Sequence, residues 1–200
     1  MNFLQRIKLK SLKKKVKNLY EKREKGANVD VKYEAKAQMD LGNFYSQHLF
    51  DKDLPNAEVY ALECYRAAAI LGNSEAQYIF ANRQMEKGKF WDELSSGMYG
   101  RDIHQKYAKA CYEEAHNYAQ KAEDNGYALA KRLRGLAYIN AWGVEKDKTK
   151  GFQLVVDSIE EEGSWDKATQ IFEEIGLNTP EFFSSIMALR GRKHNTQHYS

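Results

Sequence analysis

The sequence predicts an all-α fold, in which tandem antiparallel helix pairs form a short α-solenoid of three pairs plus a partial terminal pair. The first observation is a repeated motif, A-x-x-x-[LR]-G-x-x-Y, which begins at Ala37 and again at Ala130, with a weaker copy at Ala76. A period near 40 residues is typical of stacked helix pairs. The second observation is composition: the 200 residues include only two Pro, and Ala, Lys and Glu are frequent.

The spacing of the copies shows that the second one is longer. The copies begin at Ala37, Ala76, Ala130 and Ala168, which are 39, 54 and 38 residues apart. A second motif, Y-A-x-x-C-Y-x-x-A, begins at Tyr60 and again at Tyr107, an offset of 47 residues. Extra residues therefore lie on both sides of this match. We expect the second pair to have a longer connecting loop and a longer second helix.

Capping residues and glycines predict the first four helices of the repeat region. Asp30 is a suitable N-cap for a helix that continues to about Phe50. Pro55 suits the first turn of a helix that ends at Gly72. Ser74 caps a helix that stops near Gly88, and Asp102 caps a long helix to about Asn125.

The same signals predict four later helices. They run from Tyr127 to Ala141, from Asp147 to Gly163 and from Ser164 to Gly176. The sequence Thr179-Pro180-Glu181 combines a cap, a first-turn proline and an acidic residue, so a final helix should run to about Arg190. Residues 191–200 are expected to be a polar, frayed tail.

These residues resemble the Sel-one-like repeat, a relative of the tetratricopeptide repeat. Copies in that family read approximately A-x-x-x-L-G-x-x-Y, then G-x-G-V-x-x-D, then a helix ending A-A-x-x-G. Gly143 to Asp147 matches the loop, with Ala141 in place of its first glycine, and Ala68 to Gly72 matches the helix end. The resemblance covers about residues 31–176. It implies a surface that binds a partner, and proteins with this repeat are common among bacterial signalling, envelope and host-interaction factors.

Residues 1–25 differ from the rest of the chain. They contain ten Lys and Arg and two Glu, a net charge of +8, whereas the whole chain has a net charge of +3. Apolar residues form one helical stripe, which consists of Leu9, Leu12, Val16, Leu19 and Tyr20. Three interpretations remain open: a helix that caps the first repeat, an arm that docks on an acidic protein, or an arm that binds anionic lipid or nucleic acid. The basic-arm candidates are Lys10, Lys13, Lys14, Lys15 and Lys17.

The sequence contains none of the common nucleotide-binding, zinc-protease or nucleophile-elbow motifs, so no catalytic residue, metal site or cofactor is predicted. Glu113-x-x-His116 resembles half of a di-iron motif, but the other ligands are missing. His194 and His198 lie four residues apart in the tail. The run Glu160–Glu162 lies near a helix C-terminus, where negative charge is unfavourable, so it is either a solvated helix end or a sign of a basic partner.

Composition suggests where the chain functions. No run of 18 apolar residues exists, and the basic N-terminus has no apolar segment typical of a secretory signal. Cys64 and Cys111 occupy equivalent positions of the second motif and are expected to be small buried apolar residues. These features favour a reducing cytoplasm, with attachment to a membrane-associated complex as an option.

Two further surfaces are candidates for binding a partner. If the first helix of each pair lines a concave face, as in tetratricopeptide-like arrays, the binding candidates there are Asn43, Gln47, Tyr78, Asn82, Arg132 and Asn140. The predicted connector, residues 89–100, carries aromatic and sulfur-containing side chains that are enriched in interfaces. Its candidates are Phe90, Trp91, Met98 and Tyr99. These aromatic side chains either contact a partner or fold back beneath the long helix.

The sequence therefore predicts three segments: a basic helix over 1–25, a repeat domain over 26–190 and a tail over 191–200. The predicted function is that of a non-enzymatic adaptor or scaffold that binds another protein, with no small-molecule substrate, such as a component or substrate of a bacterial secretion system. The alternative is a basic-arm protein that binds anionic membrane or nucleic acid.

Overall fold

The computed structural model describes residues 1–97 and 99–197, with the side chains of residue 190 and of residues 192–197 left out. These residues form nine α-helices and one short 3-10 helix, and no strand occurs among them. The α-helices are α1 Phe3–Glu24, α2 Val31–Ser46, α3 Ala57–Ile70, α4 Ser74–Ser95, α5 Arg101–Asp124, α6 Ala128–Asn140, α7 Lys148–Glu162, α8 Ala168–Glu174 and α9 Pro180–Gln197; the 3-10 helix is Trp165–Lys167. The all-α prediction is confirmed.

The chain divides into two compact units, Met1–Phe80 and Ala81–Ser200, and the boundary falls inside α4. In the first unit α2 packs on α3 and also on α1. In the second unit α6 packs extensively on α7 and less so on α5, and α7 also packs on α9.

Glycines allow the backbones of paired helices to approach closely. A Cβ at Gly42 of α2 would lie 3.0 Å from Cε1 of Tyr65 in α3. A Cβ at Gly135 of α6 would lie 2.7 Å from the carbonyl oxygen of Gly151 in α7. Any larger side chain at these positions would push the two helices apart. The glycine of the repeated motif therefore serves helix–helix packing in both copies.

Gly88 does not end a helix, contrary to the sequence prediction. Helix α4 passes through it and ends at Ser95, so the connection to α5 is short and the predicted long loop is wrong. The reason is tertiary: a Cβ at Gly88 would lie only 2.5 Å from Cε1 of Tyr112 in α5. The extra length of the second pair is helical, since α4 has 22 residues against 16 in α2, and α5 has 24 against 14 in α3. The longer second helix is thus confirmed.

Three predicted caps are confirmed, those by Asp30, Asp147 and Thr179, and two are wrong. The side chain of Asp30 accepts a hydrogen bond from the Lys32 amide, and that of Asp147 accepts one from the Lys150 amide, at 2.9 Å in both cases. Helix α4 is capped by Asn73 and not by Ser74. The Asn73 side chain accepts a hydrogen bond from the Ala76 amide at 2.8 Å. Helix α5 begins after Gly100, which has no side chain for capping, and Asp102 lies in its first turn.

Three other boundaries differ from prediction. Helix α2 ends at Ser46 and not near Phe50, and Pro55 lies before α3 and not within its first turn. The segment after Ser164 begins as the 3-10 helix Trp165–Lys167 and only then becomes α8. Thr179 caps α9 as expected, accepting a hydrogen bond from the Phe182 amide at 3.3 Å.

The expected frayed tail is helical over most of its length. Helix α9 continues past residue 190 to Gln197, and Gly191 lies within it. Lys and Arg are good helix formers, and a single glycine in a helix costs only about 1 kcal/mol, so a polar composition does not itself end a helix. The predicted His194 and His198 pair lies outside the described side chains.

Candidate functional site: surfaces for a partner

The end of the α4–α5 hairpin carries a group of partly exposed apolar and aromatic side chains, here called the aromatic patch. It consists of Phe90, Trp91 and Leu94 from α4 and Ile103, His104 and Tyr107 from α5. The Trp91 ring lies 5.0 Å from that of Tyr107, 5.4 Å from that of Phe90 and 5.4 Å from that of His104, measured between centroids. The half-buried Trp91 thus joins the two helices.

The outer members of the aromatic patch are open to solvent. The exposed fraction is 53% for Phe90, 57% for Ile103 and 52% for Tyr107. Ile103 and Tyr107 lie four residues apart on α5, as Phe90 and Leu94 do on α4, so each pair shares a helix face. Exposed apolar side chains that cluster in this way mark binding surfaces more often than singly scattered ones do.

One side chain of the predicted connector packs against the long helix α5, as the fold-back interpretation expects, and others are exposed to solvent. Phe90 and Trp91 are helical and not in a loop; Trp91 packs inward on α5 while Phe90 stays exposed. Tyr99 lies in the true connection and is 85% exposed. Met98 lies outside the described residues. Sequence reasoning missed Ile103, His104 and Tyr107, although the exposed Tyr107 belongs to the repeated Y-A-x-x-C-Y motif and its partner Trp91 was already singled out.

Of the predicted concave-face residues of the first unit, Asn43 lines a polar groove. Lys36, Met39 and Asn43 of α2 share this groove with Asn73 and Glu75, and its volume is about 450 Å³. The Asn43 Oδ1 already accepts a hydrogen bond from the Tyr65 hydroxyl at 2.9 Å, so only part of its amide is available to a ligand. Gln47 is exposed and lines a smaller hollow beside Asn43.

The predicted concave-face residues of the second unit are mostly engaged within it. Arg132 pairs with Glu162 of α7 and donates to the Ser158 hydroxyl at 3.3 Å. Asn140 is exposed, but its amide donates to the Leu136 carbonyl of its own helix at 3.0 Å. Asn82 and, in the first unit, Tyr78 are half-buried on α4. None of these four side chains is both exposed and without an internal polar contact, so the exposed aromatic patch is the stronger candidate.

Two of the three carboxylates in the acidic run at the end of α7 form ion pairs within their own unit. Glu161 pairs with Lys131, and Glu162 pairs with Arg132, both from α6. The unfavourable position of these carboxylates near a helix C-terminus is offset by the two cations. The run therefore gives no support for a basic partner.

The N-terminal helix packs on α2, which the capping interpretation requires. Leu9 and Leu19 are buried, and Leu12 and Val16 are half-buried. Basic side chains extend over α2 aromatic rings: the Lys15 Nζ lies 4.5 Å from the Tyr33 centroid, and the Lys13 Nζ lies 5.8 Å from that of Tyr45. The Lys15 Nζ also lies 3.8 Å from the Asp40 Oδ2. Lys10, Lys14 and Lys17 are exposed to solvent.

The three side chains with potential reactivity, those of His116, Cys64 and Cys111, are buried or half-buried. His116 is half-buried, and its Nε2 donates to the Trp142 carbonyl at 2.8 Å; burial lowers its pKa below the usual value of 6.5. Cys64 and Cys111 are free and buried, as the sequence indicated. Burial raises the pKa of the Cys64 thiol to about 11 and also raises that of Cys111. Within the described part of the chain, no group of three His, Cys, Asp or Glu side chains is placed to hold a metal ion.

No protein-family model matches the chain, and comparison with curated proteins gave no match. Across the described residues, no helix is both long enough and apolar enough to cross a membrane.

Proposed function

We propose that this protein is a non-enzymatic adaptor that binds another protein through the aromatic patch at the end of α4–α5. The observation that carries the proposal is the exposure of Phe90, Ile103 and Tyr107 around Trp91. Aromatic side chains dominate the energetics of protein interfaces, since they bury a large area at a small entropic cost.

The proposal also includes a repeat architecture. The pairs α2–α3, α4–α5 and α6–α7 act as three successive copies in a short solenoid, and α8 with α9 forms the partial terminal pair. In each pair a glycine of the first helix lies in close contact with the second helix, which supports the repeat architecture. The sequence resemblance to the Sel-one-like repeat supports it too. By that resemblance alone, a place in the cytoplasm, beside a bacterial secretion system or a similar assembly, is part of the proposal.

Site-specific photo-crosslinking in cells tests the proposed surface. A photoreactive phenylalanine analogue replaces Phe90 in one variant and Ile103 in another, and it replaces the exposed Lys109 of α5 in a control. We expect a discrete protein adduct of the same mass from positions 90 and 103, and none from position 109. Adducts at all three positions, or at none, would contradict binding through the aromatic patch.

Two substitutions separate the effect on stability from the effect on binding: Trp91→Ala tests stability, and Phe90→Ser tests binding. Because Trp91 is half-buried, its loss should lower the free energy of unfolding by less than the 3–5 kcal/mol or so typical of a fully buried Trp. The Phe90→Ser change should leave stability nearly unchanged and still remove the adduct at position 103. If Phe90→Ser leaves that adduct intact, Phe90 is not part of the interface.

A second candidate function is attachment to anionic lipid through the start of α1. The exposed fraction is 76% for Phe3, 73% for Leu4 and 50% for Ile7, and Lys14 extends the same face toward the C-terminus of the helix. A basic helix with exposed apolar side chains fits the surface of an anionic bilayer better than it fits nucleic acid. Co-sedimentation with phosphatidylserine vesicles tests it: reversal of Lys10, Lys13, Lys14 and Lys17 to Glu should abolish binding, and added salt should weaken binding steeply.

A further inference from the structure

A long groove runs beside α1 in the first unit, here called the α1 groove. It consists of two adjoining hollows of about 490 and 530 Å³, and Lys13 lines both of them. Helix α1 forms one wall, α3 forms the other wall at one end, and Leu41 and Tyr45 of α2 lie between them. Hollows of this size are within the usual range of ligand-binding pockets, about 300–1,000 Å³.

The shape of the α1 groove suits a helix. The α1 residues that line it recur at intervals of three and four: Arg6, Leu9, Lys10, Lys13, Val16, Lys17 and Tyr20. This spacing describes one continuous helix face, which at 1.5 Å per residue extends for roughly 20 Å. An elongated groove with a straight helical wall is the kind of site in which amphipathic helices bind, with their apolar face inward.

The groove offers apolar surface for such a helix. Tyr20 of α1 and Tyr60 of α3 are 58% and 41% exposed, and both line the same hollow. The centroid of the Tyr60 ring lies 5.3 Å from that of the buried Tyr45, so the two rings pack together. Tyrosine rings supply a large contact area, and their hydroxyl groups remain available for hydrogen bonds at the rim.

The side chains that line the α1 groove are mostly basic, which favours an acidic occupant. Its lining includes four basic side chains, at Arg6, Lys10, Lys13 and Lys17, but only two acidic ones, at Asp53 and Glu63. Arg6 is paired with Asp53 at 2.9 Å, and Lys17 lies 3.7 Å from Glu21. No ion pair within the described residues engages Lys10 or Lys13. Two cations on the α1 wall, beside exposed apolar surface, therefore form no ion pair with a described residue.

We propose that the α1 groove binds an amphipathic helix of a partner protein that carries acidic residues along one edge. The apolar face of that helix packs between Tyr20 and Tyr60, and its carboxylates meet Lys10 and Lys13. The inference deepens the proposed adaptor function, on which it rests, but places this contact in the first unit, whereas the aromatic patch belongs to the second. Electrostatic complementarity of this kind chiefly sets specificity and association rate.

Selection from a peptide library tests the proposal with the full chain. The library displays 18-residue helical peptides with apolar residues on one face and Glu, Gln or Lys at each other position. We expect enrichment of Glu over Lys along one edge of the apolar face. Enrichment of Lys, or no enrichment of any peptide, would overturn the proposal.

Matched variants locate the binding of a selected peptide, which is followed by fluorescence anisotropy. Lys13→Glu should weaken it roughly tenfold, whereas Lys14→Glu, at the adjacent residue outside the groove, should change it less than about twofold. Tyr60→Ala should weaken it at least roughly tenfold, whereas Tyr107→Ala, at the equivalent position of the second motif copy, should not. Circular dichroism confirms that each variant is folded.

The same variants distinguish the failure of this inference from the failure of the adaptor proposal. Loss of peptide binding with Tyr107→Ala but not with Tyr60→Ala would move the site to the aromatic patch and overturn the inference alone. Displacement of the peptide by phosphatidylserine vesicles or by single-stranded DNA, with equal sensitivity to Lys13→Glu and Lys14→Glu, would also overturn it. That result would identify α1 as a general anionic-surface binder.

Discussion

The ring of Tyr112 lies directly against the backbone of Gly88, where a Cβ would be 2.5 Å from the tyrosine Cε1. The Tyr112 hydroxyl donates to Asp92 Oδ2 at 2.7 Å, one helical turn further along α4. Burial and this hydrogen bond raise the pKa of the phenol above its usual value of 10. Tyr112 thereby ties α5 to the last two turns of α4.

The first unit contains the same arrangement. Tyr65 lies against Gly42 and donates to Asn43. The Tyr60 ring packs at a tilt against that of Tyr45, as the Tyr107 ring does against that of Trp91. Tyr60 and Tyr65 correspond to Tyr107 and Tyr112 by the motif offset of 47 residues. Their partners Gly42 and Tyr45 correspond in space to Gly88 and Trp91, at an offset of 46. The match between Ala37 and Ala76 would instead align Gly42 with Ala81, two helical turns earlier.

Gly88→Ala should destabilise the protein. Overpacking against the Tyr112 ring costs about 1–3 kcal/mol, and the better helix propensity of alanine recovers about 1 kcal/mol of it. We expect a net loss of up to about 2 kcal/mol in the free energy of unfolding, measured by urea denaturation. Gly191→Ala is the control, because this helical glycine has no neighbouring atom within 4 Å, and it should be neutral or stabilising. An equal effect of the two changes would contradict the packing role of Gly88.

Ala141→Gly should stabilise the protein. Ala141 is the C-cap of α6 and adopts φ +60°, the left-handed conformation that is unfavourable for residues with a Cβ. Glycine removes that cost, so the free energy of unfolding should rise by about 1 kcal/mol. Thermal denaturation measures the gain. The reverse change two residues later, Gly143→Ala, should be strongly destabilising, because its Cβ would lie 2.2 Å from that of Tyr112. A lower melting temperature for Ala141→Gly would show that the turn does not strain Ala141.

His116 should make stability fall in mild acid. Burial holds the pKa of His116 below the ordinary value of 6.5 in the folded state, so the unfolded chain takes up the proton first. The contribution of neutral His116 is fully present above that value and decreases as pH falls below it. Urea denaturation at about pH 7.5 and about pH 5 should therefore show a smaller loss for His116→Gln than for the wild type. Identical losses would mean that His116 titrates normally in the folded chain.

The two cysteines should resist alkylation in the folded protein. The thiolate is the reactive form, and a pKa of about 11 for Cys64 leaves roughly one thiol in a thousand ionised at about pH 8. With burial added, the native protein should react with Ellman's reagent at least roughly a hundredfold more slowly than the same chain in urea. If both cysteines reacted with Ellman's reagent without denaturant as fast as they do in the unfolded chain, the burial of Cys64 and Cys111 would be contradicted.

Prediction from sequence was most successful where the interaction is local. Asp30, Asp147 and Thr179 each cap a helix as expected, because a cap needs only a side-chain oxygen beside the first free amides of its own helix. Prediction failed at Gly88, because a glycine that ends a helix and one that admits an aromatic ring look the same in the chain. It also placed Phe90 and Trp91 in a loop for this reason.

The amino-acid sequence alone was enough to predict the all-α class, most helix boundaries, the burial of both cysteines and the basic character of α1. These properties follow from composition, spacing and contacts between near neighbours in the chain. Which candidate side chains are exposed to a partner depends on how the helices pack together. Arg132 faces Glu162 within its unit, whereas Phe90, Ile103 and Tyr107 remain exposed around Trp91. The α1 groove was likewise beyond prediction, because it depends on how α1 and α3 are placed over α2, and no single segment encodes that arrangement.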